Sequence, residues 1–372
     1  MLKTKKIKRI VIKVGTSTVT HATGKINISK IEALTREISN LVNQGLEVML
    51  VSSGAVGAGI GKLGWQHYPK YLPDKQAAAS IGQGVLLHMY EKLFSEYGII
   101  VGQILLTSED FSYRKRYLNA RNTMFALLRY GIVPIINEND TIAVEEIKFG
   151  DNDTLSAKVA ALVDADLLIL LSDIDGLYDC NPNNNPEAKL ITYVDKITPE
   201  IENYAEGAGS KYAVGGMSTK LQAAKIAMYS GVSMVIANGN DPRIIHDIIK
   251  SKAICTYFDS KESKLEAKKS WLSFGSHSLG KIIVDLCATE KIVSHGKSLL
   301  AVGIKDVSGS FEIGDVVSLV SEEGKEFARG ISNYSFEAIS KIKGKPSNEI
   351  DKILGYKDDD EVIHRDNLSL KI

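Results

Sequence analysis

Between Arg9 and Tyr257, short and almost uninterrupted runs of Val, Ile and Leu alternate with longer stretches of helical period, the runs lying at 10–12, 48–51, 99–106, 132–136, 167–171 and 234–237. A strand with one wet face alternates apolar and polar residues, so runs without alternation must be covered on both faces. That is the condition of parallel strands sandwiched between helices. The expected fold class is α/β: an open, mainly parallel twisted sheet with right-handed helical crossovers. The intervening stretches carry matching helix signals. In the first, Ser29 with Glu32 reads as a capping box, Ile31, Leu34, Ile38, Leu41 and Val42 make one apolar face, and Gly45 stands at the C′ position. Further helices are predicted over Gln76–Tyr97, Ala120–Tyr130, Thr154–Val163 and Met217–Tyr229.

From Asp259 the texture turns lysine- and serine-rich, and beyond Gly280 short strand-like runs with glycine turns take over. The expected organisation is a main domain over 1–258, a linker over 259–278 and a small, mostly-β domain over 279–372. Strands are predicted there at Lys281–Asp285, Leu299–Val302, Asp315–Val320 and Phe327–Ser332.

With 45 basic and 45 acidic side chains the formal charge is zero, which removes the electrostatic case for a dedicated nucleic-acid or anionic-membrane binder. Three cysteines, at 180, 255 and 287, are too few and too far apart for a disulfide framework or a metal knuckle, and a reducing, cytoplasmic home is expected. The first apolar run is broken at Lys13, so no signal peptide is expected, and no run approaches the roughly 20 apolar residues of a membrane span.

Several motifs fail on context. Gly59, Gly61 and Gly64 spell GxGxxG but stand too far beyond Val51 for a dinucleotide turn, and Gly57–Lys62 lacks the spacing of a Walker loop. No HExxH pair and no Gly-x-Ser-x-Gly elbow occurs. What remains are small-residue turns at the carboxyl ends of predicted parallel strands, where open α/β sheets bind ligands. Lys13-Val14-Gly15-Thr16-Ser17 follows the first strand, Ser52-Ser53-Gly54-Ala55 the second, and Gly215-Gly216-Met217-Ser218-Thr219-Lys220 opens a helix. Such turns bring backbone N–H groups close to phosphate or carboxylate oxygens. Lys13 ends its strand over the sheet edge, as either a ligand contact or a solvated lysine. Lys220 sits in a helical first turn, where the macrodipole disfavours a cation unless a polyanion is bound nearby. Asn137-Glu138-Asn139-Asp140 and Gly150-Asp151-Asn152-Asp153 could be turn and cap chemistry, or carboxylates that hold an ammonium, position the lysines or support Mg²⁺. Ser172-Asp173-Ile174-Asp175-Gly176 reads as a nucleotide shelf or a metal loop.

Taken in order, IKVGTS at Ile12, SSGAVGAG at Ser52, LNARNT at Leu118, IINENDTIAVEEIKFGDND from Ile135, LLSDIDGLY from Leu170 and GGMSTKLQAAKIA from Gly215 resemble the amino-acid kinase family. The resemblance points to the branch that phosphorylates the γ-carboxylate of L-glutamate with ATP, at the entry to proline biosynthesis. The C-terminal stretches GSFEIGDVV and EIDKILGY resemble a PUA domain, which favours that branch over acetylglutamate, aspartate, carbamate and UMP kinases. The resemblance implies that Ser53, Gly54, Asp140 and Asn152 hold glutamate. It implies that Lys13, Gly15, Ser172, Asp173 and 214–220 (Val214, Gly215, Gly216, Met217, Ser218, Thr219, Lys220) line the ATP site. Lys13 and Lys220 would stabilise the transferring phosphoryl group, held in place by Asp153, with Mg²⁺ on the ATP phosphates and no metal site of the protein's own. The family's nucleotide turn usually reads Gly-Thr-Gly-Gly-Met; here Val214 replaces the threonine, so its hydroxyl is lost while the backbone N–H groups stay. Feedback inhibition by proline and homo-oligomerisation as a dimer or tetramer also follow from the resemblance; hand-off of the product to glutamyl phosphate reductase is left open by the sequence and is attractive on chemical grounds, since an acyl phosphate hydrolyses or cyclises readily in water. RNA binding through the PUA-like part is the rival reading. Against it, residues 280–372 carry 13 Lys and Arg but 16 Asp and Glu, a net of −3, and the run Asp358-Asp359-Asp360-Glu361 repels phosphate.

Overall fold

The computed structural model describes residues 7–21, 23–142, 152–182, 184–207, 216–260, 278–357 and 359–370. The chain divides into two compact units, Met1–Phe111 with Asn119–Lys261, and Ser112–Leu118 with Glu262–Ile372.

In the first unit the apolar runs become the strands β1 (Arg9–Val14), β2 (Glu47–Ser52), β3 (Val101–Leu106), β4 (Val133–Glu138) and β5 (Leu167–Ser172). A small hairpin follows, β6 (Leu177–Tyr178) with β7 (Leu190–Ile191), and then β8 (Tyr193–Val194), β9 (Ser233–Asn238) and β10 (Thr256–Phe258). The main sheet has the order β3-β4-β2-β1-β5-β9-β10-β8, and all its pairs are parallel except β9 with β10. Ile10, Ile12 and Val14 of β1 pack on one face with Ile31, Leu34 and Ile38 of the helix Ile28–Asn43 and with Tyr90 and Phe94 of the helix Leu72–Ser95. By the two-residue alternation of a strand, Val11 and Lys13 project from the other face.

β1 is flanked by β2 on one side and by β5 on the other. The connections leaving this part of the sheet thus run in opposite directions, and a crevice opens at the carboxyl end of β1. Lys13 stands at that end.

Two helices on the β2 side touch unusually closely. A Cβ on Gly59 of the helix Ala55–Leu63 would stand 1.8 Å from the Ala78 carbonyl oxygen, and one on Gly82 would stand 1.7 Å from that of Ala55. Of the three glycines that spell GxGxxG, Gly59 belongs to this helix-to-helix contact, Gly61 faces the backbone of Gly24, and Gly64 caps the helix Ala55–Leu63. Helix Ile28–Asn43 begins two residues before the predicted box: Asn27 is the cap, its side-chain oxygen accepting the Lys30 N–H at 3.2 Å, and Ser29 lies inside the first turn. Asparagine caps as well as serine, and here it comes first in the chain. Gly45 takes the expected left-handed conformation at φ +86°.

The second unit has a sheet of order β12-β11-β13-β14-β15, from β11 (Gly280–Val284), β12 (Ile304–Gly309), β13 (Val316–Ser321), β14 (Glu326–Ile331) and β15 (Leu368–Leu370). Only β11 with β13 is parallel. The strand expected at Leu299–Val302 is absent: Leu299 makes an isolated bridge to Ile363, and Ala301–Gly303 is a 3₁₀ turn. The strand lies at β12, whose Lys305, Asp306 and Ser308 are exposed and broke the apolar signal. Asp285 is not in a strand either; its carboxylate caps the helix Leu286–His295 by accepting the Ala288 N–H at 2.7 Å.

The glycine contact is testable. Gly82→Ala should destabilise the protein by about 1–3 kcal/mol or more through overpacking. Gly84→Ala, two residues along the same helix with open space at its Cβ, should stabilise by about 1 kcal/mol through helix propensity. Opposite shifts in urea midpoint would confirm the contact, and equal shifts would refute it.

Candidate active site

The carboxyl ends of β1, β2, β4 and β5 carry most of the residues singled out in the sequence. Lys13, Asp153 and Lys220 are all buried, at 8%, 2% and 6% exposure. Lys13 Nζ lies 2.6 Å from Asp153 Oδ1, and Lys220 Nζ lies 3.2 Å from Oδ2. The Thr219 hydroxyl donates to the same Oδ2 at 3.0 Å. Neither lysine is a solvated surface group. Burial alone would raise the Asp153 carboxyl, but the Lys13 and Lys220 ammonium groups more than offset it and hold it below the ordinary carboxylate range. Asp153 is not a cap residue; it stands in the first turn of the helix Asn152–Leu162, where the helix dipole also favours an anion. Lys220, in the first turn of Met217–Tyr229, faces the unfavourable end of its helix, and Asp153 already supplies an anion that the sequence suggested a ligand would bring.

Beside this group lies a cleft of about 1090 Å³ lined by Thr16 and Ser17 after β1, Ser53 and Gly54 after β2, Asn137, Glu138 and Asp140 at the end of β4, and Asn152. Gly54 has φ +100°, and a Cβ there would stand 2.5 Å from Val19 Cγ2, so only glycine makes this entry to the helix Ala55–Leu63. The Asn152 side-chain NH₂ is within reach of the Ser52 carbonyl at 3.2 Å, Ser53 Oγ at 2.9 Å and Asn137 Oδ1 at 2.9 Å. Because Ser53 Oγ accepts there, its own proton is left to donate elsewhere. Asn152 Oδ1 is buried with no hydrogen-bond partner among the described residues. An acceptor in that state is costly until a donor arrives.

Asp140 sits on the other wall. Burial pushes its carboxyl up to about 6, while Gln83 Nε2, at 3.4 Å from Oδ2, works the other way. Among the described residues no ammonium or guanidinium group pairs with it. Burial and the Asp140 charge together raise the Tyr68 phenol, on the outer rim of the same cleft.

On the β5 side, the Ser172 hydroxyl donates to Asp173 Oδ1 at 3.0 Å, and Asp173 is exposed just beyond the carboxyl end of β5. Asp175 accepts from Asn238 Nδ2 at 3.0 Å and from the Tyr178 hydroxyl at 3.2 Å, tying the β5 turn to β9. Gly216, Met217, Ser218 and Thr219 lead into Lys220; Val214, Gly215 and Asp151 lie outside the described residues. The sequence reading did not select Gln83 or Asn137 as site residues. Gln83 is a polar residue between two glycines on a helix otherwise read for its apolar face, and that pattern was the one available signal.

Residues 8–238 match the model of the amino acid kinase family, and residues 280–354 that of the PUA domain. The chain is 54% identical over 361 residues to the glutamate 5-kinase of Moorella thermoacetica, covering 97% of this chain and 96% of that one. It is 52% identical over 367 residues to the glutamate 5-kinase of Carboxydothermus hydrogenoformans, covering 98% of each. Among solved structures, a carbamate kinase from Giardia lamblia bound to AMP-PNP aligns with 70% of this chain and 100% of its own, at TM-score 0.50 and 16% identity, which bears on the fold alone.

Asp140 gives a pH test. Its raised value means that the ionised form is penalised in the fold, so this contribution to stability is lost as pH rises from about 4 through about 6. Ligand-free Asp140→Asn should therefore be more stable than the parent protein at pH 7, by on the order of 2 kcal/mol, with the advantage gone near pH 4. Melting curves across that range check it; a constant difference would contradict it. The lysine pair, the unpaired Asn152 acceptor and the uncompensated Asp140 all lie within a match spanning the larger part of the sequence, and the chain belongs to the amino acid kinase family.

Proposed function

We propose that this chain transfers the γ-phosphoryl group of ATP to the γ-carboxylate of L-glutamate, giving L-glutamyl 5-phosphate, the first step of proline biosynthesis. The observation that carries the reading is Asp140, a half-buried carboxylate with no cation against it among the described residues, facing a cleft beside the buried Lys13–Asp153–Lys220 group. A free α-ammonium supplies the missing charge. An acetylated nitrogen, or a pyrimidine nucleotide, would leave the carboxylate unpaired and costly.

In this reading Ser53, Gly54, Asp140 and Asn152 hold glutamate: Asp140 and Asn152 Oδ1 take ammonium protons, and the Ser53 hydroxyl donates to a carboxylate. Lys13, Gly15, Ser172, Asp173 and 214–220 hold ATP. The acceptor is already an anion at neutral pH, so no general base is required. One γ-carboxylate oxygen bonds to the γ-phosphorus, the bond to the β,γ-bridging oxygen breaks, and ADP leaves with its electron pair. Lys13 and Lys220 act on the phosphoryl charge, and Asp153 fixes their direction. In this reading Mg²⁺ would be carried on the ATP phosphates, whose charge it offsets.

The same reading places the kinase chemistry in 1–258 and a regulatory or structural role in 279–372, joined by 259–278. It includes cytoplasmic operation, a homo-oligomer built on the kinase domain, and proline as an inhibitor at or near the glutamate site. It also includes hand-off to a reductase, because an acyl phosphate hydrolyses or cyclises readily in water.

Incubation with MgATP and hydroxylamine traps an acyl phosphate as hydroxamate. Product from L-glutamate, and none from N-acetylglutamate or L-aspartate, is the expected outcome; turnover of UMP alone would overturn the reading. Lys13→Ala and Lys220→Ala should each lower kcat by about 10²-fold, the scale of one electrostatic stabiliser. Asp140→Ala should raise the glutamate KM far more than the ATP KM, and equal effects would count against its role.

A further inference from the structure

Gln83 belongs to the helix Leu72–Ser95, is 8% exposed, and reaches the turn that leaves β4. Its side-chain Nε2 lies 3.1 Å from the Glu138 carbonyl oxygen and 3.4 Å from Asp140 Oδ2. A primary amide has two protons, so it can serve both acceptors at once. One bond fixes the backbone where the turn begins, and the other fixes the carboxylate two residues later. We propose that Gln83 is a positioning residue for substrate recognition: its amide keeps the Asp140 carboxylate turned into the cleft, where it meets the α-ammonium of the amino-acid substrate.

The inference rests on the activity proposed above. It also rests on a physical conflict that this site has to resolve. A half-buried, ionised carboxylate gains by swinging further toward water, and a donor on the protein side opposes that movement. Among the described residues the other titratable groups lining the cleft are Tyr68, His67, His21, Glu138, Lys25 and Lys30, and the Tyr68 phenol feels the Asp140 charge. Neither lysine pairs with Asp140, which leaves Gln83 as the neutral donor that favours the inward, charged form. The neighbouring Gly82 sets how deep Gln83 reaches, because its missing Cβ lets the helix approach the Ala55 carbonyl.

The test is Gln83→Met, which keeps length and helix preference and removes both donors, with Gln83→Ala in parallel as a smaller replacement. The glutamate KM should rise about tenfold, as for loss of one hydrogen bond to a charged group, with kcat and the ATP KM within about twofold. The second readout is the pH profile of kcat/KM for glutamate between pH 5 and 8, where the substrate keeps its own charges. The parent protein should lose kcat/KM as pH falls through about 6, and the variants should lose it at higher pH, since the N–H that favours ionised Asp140 is gone. An unchanged glutamate KM, equal rises in both KM values, or a raised KM with an unmoved inflection would each overturn the inference. If the parent protein makes no hydroxamate from glutamate, the activity fails, and this inference fails with it; a working parent with unaltered variants sinks Gln83 alone.

Discussion

The Asp153 carboxylate ties together three parts of the chain that are distant in sequence. One oxygen faces Lys13 at the end of β1, and the other faces Lys220 and Thr219 at the start of Met217–Tyr229. Each ammonium would be expensive alone at this depth, and the carboxylate would be too. Together they are mutually compensating, and the helix that carries Asp153 adds its positive dipole end to the anion. Loss of that one carboxylate would leave two buried cations side by side, which is why the arrangement at this end of the sheet depends on it.

The place of the triad is dictated by topology. β1 is the strand from which the sheet is built outward both ways, through β2 and β4 on one side and β5 and β9 on the other. Lys13 at its end therefore looks onto both halves of the crevice. The proposed glutamate groups, Ser53, Asp140 and Asn152, belong to the β2 and β4 side, whereas Ser172 and Asp173 belong to β5. An in-line transfer needs donor and acceptor to approach from opposite sides of the moving phosphorus. A switch point in a parallel sheet provides that opposition without further machinery.

Much of this was legible in the chain. The unalternated runs became β1 to β5 and β9: β1, β2, β4, β5 and β9 are almost wholly buried, which leaves little choice of residue, whereas β3 is an edge strand and only partly covered. β8 and β10 were not foreseen, since strands of two and three residues have no period to read. The Ser29 cap was displaced by Asn27, and β12 was hidden by exposed Lys305 and Asp306, both cases in which local signals were ambiguous between neighbours. Lys13, Lys220 and the clusters Asn137–Asp140 and Gly150–Asp153 are marked by strand-end and first-turn positions visible in sequence, while the choice of Asp140, Asn152 and Asp153 within the clusters comes from the family resemblance. Their pairing is not visible there, and the lysine that looked in need of a bound polyanion already has a carboxylate. Gln83 lay outside that logic. Its importance comes from a helix brought close by Gly82, a contact that exists only once the two helices are packed.

Those glycines also bear on why the substrate side is built at some cost to stability. Glycine inside a helix forfeits about 1 kcal/mol relative to alanine, and an ionised Asp140 with no cation against it among the described residues is a further penalty at neutral pH. A protein selected for stability alone would carry alanine at Gly84 and an amide at position 140. Retaining the carboxylate keeps an electrostatic demand in the cleft, and under the proposed function a free amino acid meets it with its own charge. Recognition then depends less on the shape of a large, open cleft than on one carboxylate held in place before the ligand arrives, so the rigidity of the helix pair behind it becomes part of the specificity.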